Sequence, residues 1–184
     1  MIPPTRLHAL ALLILLALPS CVAPIPASRP DRAIVSGAGM ALVLGMDVAE
    51  PVKSSFLAPR QGLFRTHVTL APGPQMLMFT CRRSLSTGMG TMTMNTHFAH
   101  GLVTMQPGHT YQVTARLERD KSKNFFTTPA ALLHTVIFQL QDTVTKQILV
   151  TAKGTPLMND PEFDRYLSAY PELAPLMRAG LANR

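Results

Sequence analysis

Met89, Met92, Met94, His97, His100, Met105 and His109 fall within 21 residues of one another, the densest run of metal-binding side-chain types in the chain. Thioether sulfur is soft and suits Cu(I), while imidazole suits copper or zinc. Met92, Met94, His97 and His100 are therefore the candidate ligands for copper. A packing explanation competes with this one. The chain carries 11 methionines, and methionine fills irregular cores. Met92 and Met94, two apart, share one face of any strand, and Met76 and Met78 repeat that spacing with no histidine beside them. His109 sits in a turn, where its ring hydrogen-bonds the loop. Catalytic patterns are missing: there is no Gly-x-Ser-x-Gly elbow, no His-Glu-x-x-His, no phosphate loop and no Cys-x-x-Cys. Cys81 alternates with Phe79 and Leu77 and has the setting of a buried apolar residue rather than a nucleophile. The expectation is a non-enzymatic protein without a cofactor, with copper binding as the alternative.

The elements that carry these residues are strands. Phe64, Thr66, Val68 and Leu70 share one face, with Arg65, His67 and Thr69 on the other, the period-two pattern of a half-buried strand. Ala71-Pro72-Gly73-Pro74 breaks it. Gln75 to Cys81 is apolar on both faces, as a strand covered on both sides would be. Gly101–Gln106 leads through Pro107-Gly108 into His109–Glu118, and Thr135–Gln141 pairs with Gln147–Thr151 across residues 142–146. With an opening strand at Ala41–Val48, the expectation is mainly β: a single antiparallel β-sandwich of about seven strands over residues 35–155. A short C-terminal helical tail, 156–184, follows. Asn159 or Asp160 can cap it, with Pro161 in the first turn. Phe163, Tyr166, Leu167 and Tyr170 form its apolar stripe, and Pro171 ends or kinks it.

At the other end, Arg6 precedes the charge-free run Leu10–Leu18, which is shorter than the ~20 residues a membrane-spanning helix needs and has the form of a secretory signal. Leu18-Pro19-Ser20-Cys21 closes it, and this ending resembles the lipobox of bacterial lipoproteins. The resemblance implies a signal peptide over 1–20 and lipidation of Cys21, which leaves Cys81 without a disulfide partner. Val22 in place of aspartate implies, by the same resemblance, an outer membrane and a domain facing the periplasm. An ordinary signal cut after Ala23 or Ala27 is the other reading. Residues 21–34 hold three prolines and form an extended tether. The chain is basic, 17 Lys+Arg against 10 Asp+Glu, and loss of Arg6 with the signal leaves 16 against 10. That balance suits an anionic membrane surface or an acidic polymer, although Arg82-Arg83 and Arg116–Lys123 are its only local concentrations. Without a recognised motif or an aromatic-interleaved basic stripe, no nucleic-acid role is expected.

Val68-Thr-Leu-Ala-Pro-Gly, Met105-Gln-Pro-Gly-His-Thr-Tyr-Gln-Val and Phe138-Gln-Leu-Gln-Asp-Thr-Val-Thr-Lys carry a second resemblance. Together they look like a broad group of uncharacterised bacterial envelope proteins, many of them lipoproteins, with a PEGA-like or transthyretin-like β-sandwich. The likeness spans roughly residues 41–152 and departs where Lys146 takes the place of a glycine. It implies a fold and brings no catalytic residues. For function, the expectation is a lipid-anchored envelope module that uses its sandwich for protein interaction or structural support. Its candidate partner-binding residues are Phe125 and Phe126, near the end of a polar loop, and the tail stripe Phe163, Tyr166, Leu167 and Tyr170. Covering the sheet is the other role open to that tail.

Overall fold

Among the described residues nine strands form two sheets that face each other, and the helical tail lies against the outer face of the second. The computed structural model of the chain describes residues 29–46, 64–87, 90–124, 126–128, 132–157 and 159–182. The first sheet has the order β3 (His67–Leu70), β1 (Ala33–Gly37), β6 (Thr110–Arg119), β7 (His134–Asp142), β8 (Ile148–Lys153). The second has the order β2 (Ala41–Gly45), β4 (Gly73–Thr87), β5 (Gly90–Met105), β9 (Thr155–Pro156). Period-two side chains from both sheets meet between them. Val35, Val68, Val113 and Phe138 come from one side and Val43, Leu77, Phe79 and Val103 from the other, with the Phe79 and Phe138 rings stacked at 6.0 Å.

The tail completes a third layer. Helix α1 (Asp160–Ala169) is followed by a 3-10 turn at Pro171–Leu173 and by α2 (Ala174–Ala182). Asn159 caps α1, its side-chain oxygen accepting from the Glu162 N–H at 2.9 Å, with proline in the first turn. Leu42, Leu44, Met78 and Phe98 on the outer face of the second sheet pack against Phe163, Tyr166, Leu173, Leu176 and Met177. This is why the segment around Gln75–Cys81 is apolar on both faces: Leu77, Phe79 and Cys81 look into the sandwich, and Met76 and Met78 look toward the tail.

The mainly-β sandwich with a short helical tail is present, and it differs from the sequence expectation in four details. There are nine strands, because β1 starts at Ala33 within the stretch assigned to the tether and β9 adds a two-residue edge. One pairing, β1 with β6, is parallel; the long excursion from Gly37 to Thr110 permits it, whereas a hairpin would not. The Pro-Gly turns at 72–73 and 107–108, each with glycine at positive φ (102° and 74°), carry the chain across from one sheet to the other and do not make hairpins. Phe64 does not continue the β3 face. Arg65 bridges to Val43 of β2, and Phe64 packs in the cluster between sheet and tail.

The strand directions give the sandwich two ends. Pro30–Arg32, Gly73, the Gln106–His109 turn and the β7–β8 turn lie at the proximal end, where the described chain begins. Gly108 N–H donates to the Arg32 carbonyl there, and Thr143 N–H to that of Thr110. The β6 strand runs from there over ten residues, roughly 33 Å at about 3.3 Å per residue, to the distal end. The β1–β2 turn, the far part of the β4–β5 hairpin, the loop after β6 and the start of β7 all lie at that end. Arg82 N–H donates to Met40 O, and Arg119 pairs with His134.

Candidate functional site

The Met/His segment is strand from Gly90 to Met105, with His109 in the turn that follows, and the register of β5 separates the candidate copper ligands. His97 lies opposite Cys81, whose side chain is in the core between the sheets, whereas His100 lies opposite Met78, which packs under the tail. Cross-strand partners share a face, so the two imidazoles project to opposite sides of β5. Met94 opposite Arg83 and Met92 opposite Leu85 fall on the His97 side, where Met92 is 51% exposed. The four side chains are thus not brought into one coordination sphere in this conformation.

His100 belongs to the junction with the tail. Its Nδ1 lies 2.7 Å from the Tyr166 hydroxyl, its Nε2 3.7 Å from Glu172 Oε1, and its ring 4.4 Å from that of Tyr170. Burial above all, then Tyr170 and the Glu172 carboxylate, pushes the Tyr166 hydroxyl pKa up. A phenol so biased keeps its proton and shares a hydrogen bond with Nδ1, while Nε2 faces Glu172. The arrangement latches the tail to β5 and supplies no phenolate. Phe163 and Tyr166, candidates for binding a partner, are 4% and 8% exposed, because they form the chain's own second core. Phe163 packs on Phe98 with ring centroids 4.9 Å apart. Leu167 is half-buried against the same cluster, and Tyr170, the outermost of the stripe, rests on His100 and Tyr166. The stripe therefore works as cover for the sheet.

His109 does bond a loop: its Nδ1 is 2.7 Å from Asp142 Oδ2. Asp142 also accepts the Val144 and Thr145 N–H groups. Burial alone would raise this carboxyl; the His109 ring and the two N–H donors outweigh it, and the pKa is lowered. The Gln106 N–H donates to the buried Tyr111 hydroxyl at 2.7 Å beside them. These contacts hold together the turns of the proximal end. Cys81 is buried, and burial raises its thiol pKa against the lowering effects of Arg83 and Thr96, which keeps it inert.

The distal end gathers what the sequence keeps apart. His97, 1% exposed, bonds the Thr96 hydroxyl at 2.9 Å. Burial above all drives its pKa down to about 4; the His134 carbonyl, accepting from the ring, opposes this, and Arg83, Lys123 and the His134 ring reinforce it. Arg83 from the first basic stretch and Lys123 from the second thus converge on one histidine. Around them stand Arg82, Arg119, Lys121 and Lys153, all exposed. Lys153 and Lys123 both act on Asp120, while Glu118 is already paired with Arg116 at 2.6 Å. The Asn95 Nδ2 and His134 Nδ1 atoms are buried there with no hydrogen-bond partner among the described residues. Beyond Arg82 and Asn95 no described strand flanks the β4–β5 pair, so it projects as a two-stranded arm. The loop after β6 is built on Asp120, which accepts from Ser122, and on Asn124, whose side-chain oxygen accepts the Phe126 N–H. It presents Phe126 at 92% exposure. Phe125 and Cys21 lie outside the described residues.

Among the described residues no helix is long and apolar enough to cross a membrane, and no group of three or more His, Cys, Asp or Glu could hold a metal ion. No known protein family matches the chain, and no curated protein or solved structure matches it either, so the likeness to envelope sandwiches stands on its turn sequences alone.

Proposed function

We propose that this chain is a lipid-anchored, non-enzymatic module of a bacterial envelope, tethered through Cys21 on the periplasmic face of the outer membrane, which offers the distal end of its sandwich as an interaction surface. One observation carries the reading. Two basic stretches far apart in sequence, the second followed closely by an exposed phenylalanine, meet at the end of the sandwich opposite the point where the chain leaves its N-terminal segment. Rigid strands hold that surface, and a concentration of like charge beside exposed apolar side chains is costly unless something binds it. The other clusters are absorbed by folding: His109–Asp142 closes turns, and His100–Tyr166 fastens the tail.

The test is made in expressing bacteria. Cys21→Ser should leave the precursor unprocessed or release the protein from the membrane, and a photo-crosslinker at position 126 should capture an envelope component that one at Gln147, exposed at the proximal end, does not. Normal processing and retention of Cys21→Ser would remove the anchor, and equal capture at both positions would remove the distal surface. Copper is tested separately. Stoichiometric Cu(I) uptake by a chain beginning at Val22, lost on joint substitution of Met92, Met94, His97 and His100, would bring that alternative back.

A further inference from the structure

We infer that the distal end binds an anionic lipid surface, with Phe126 entering the headgroup region and the surrounding cations meeting lipid phosphates. This deepens the proposed function and rests on its reading of the distal end. Charge is the first argument. Among the described residues Arg82, Arg119, Lys121, Lys123 and Lys153 stand at this end with Asp120 as the acid beside them, Glu118 being paired with Arg116. The described tail carries Asp160, Glu162, Asp164 and Glu172 against Arg165 and Arg178. The described distal end is thus more basic than the tail, and it would face a negative surface.

Shape is the second argument. The Phe126 ring, in the loop after β6, is 92% exposed, with Lys123 and Lys121 three and five residues before it. Met92 is exposed on the projecting arm at the same end. A protein partner would need a preformed pocket for such a ring, whereas the boundary between headgroups and acyl chains accepts an exposed aromatic ring wherever it lands. Basic residues beside an exposed aromatic ring are the arrangement of a peripheral membrane contact. Lys123 Nζ donates to the Leu132 carbonyl at 2.8 Å, which ties the two sides of the loop together.

The described core is drawn from residues 33–177, so a chain beginning at Val22 keeps every element and lacks the apolar leader and Cys21. It should co-sediment with vesicles of phosphatidylcholine mixed with phosphatidylglycerol and not with phosphatidylcholine alone. At about fivefold per cation near the surface, Lys121→Glu with Lys153→Glu should lower the affinity at least roughly 25-fold. Phe126→Ser should lower it about tenfold, and raised salt should weaken the wild type. All three replaced residues are exposed, and unchanged urea unfolding would verify that the variants are folded. Equal binding to both vesicle types, or binding indifferent to Lys121→Glu/Lys153→Glu, overturns the inference. So does capture at position 126 of an acidic protein together with no vesicle binding, and in that case the proposed interaction module survives while its lipid partner does not.

Discussion

Mild acid should destabilise this protein through His97 before most of its carboxylates titrate. Folded, the buried ring stays neutral down to about pH 4; unfolded, it takes up a proton near 6.5. Above 6.5 neither state binds that proton and stability is undiminished. As the pH falls below 6.5 only the unfolded chain gains it, so stability drops until the folded ring titrates as well. Each pH unit inside that window is worth about 1.4 kcal/mol, so acidifying from neutrality to about pH 5 should remove about 2 kcal/mol, a large share of the 5–15 kcal/mol typical of a domain. Urea unfolding of the chain from Val22 measures it, with His97→Gln as reference. The variant keeps a polar side chain without the titration, so the gap between it and wild type should close by about 2 kcal/mol between pH 7 and pH 5. Lys123→Gln should narrow the loss only slightly, because burial and not neighbouring charge is the main cause. Parallel decline of wild type and His97→Gln would refute the claim that the fold holds this ring neutral.

Three further outcomes test the other layers. Phe163→Ala removes a ring buried on Phe98 and should cost about 3–5 kcal/mol in a urea melt; a loss below 1 kcal/mol would mean the tail is not core. Asn159→Ala removes the acceptor for the Glu162 N–H and should cost about 1 kcal/mol, with Asn159→Asp near neutral. Lys146 stands at φ 64° after the β7–β8 turn, where an L side chain is strained by about 1–2 kcal/mol. Because glycine gives part of that back in chain entropy, Lys146→Gly should raise stability by about 0.5–1 kcal/mol, and a loss would show that the Lys146 side chain contributes more than its backbone strain costs.

The parts of the fold legible in the sequence are those where one buried face repeats without interruption. Tyr111 and Val113 in β6, and Val136, Phe138 and Leu140 in β7, are buried at alternate positions; the Asn159 cap and the Pro161 start of the tail are local chemistry and needed no tertiary knowledge. Residues 82–95 were opaque for the opposite reason. Where the β4–β5 arm outruns the sandwich it has no core to face, so Thr91, Met92 and Thr93 are all exposed and period two vanishes. The same gap made Met92, Met94, His97 and His100 look like one cluster, since spacing alone could not reveal a bulge at Cys81/Arg82 or the faces on either side of it. The tail stripe was visible, but amphipathicity says only that a face is covered; that the cover is the chain's own Leu42, Met78 and Phe98 depends on pairings more than sixty residues apart.

The distal end was invisible because it is a product of strand direction. β4 starts at Gly73 and β6 at Thr110, both at the proximal end. Each therefore delivers the residues that follow its core-facing part to the other end: Arg82 and Arg83 from one, Arg119 to Lys123 from the other. The β8 strand, running antiparallel to β7, brings Lys153 back to the same place. Three strands traversed in the same sense thus turn three modest basic stretches into one surface, and neither composition nor local pattern contains that sense. Directed charge of this kind is also separable from stability. Lys121, Lys153 and Phe126 are exposed, so replacing them should leave the core between Phe79 and Phe138 intact while removing whatever the surface binds, and binding loss without unfolding is the signature that sets a binding surface apart from a packing one.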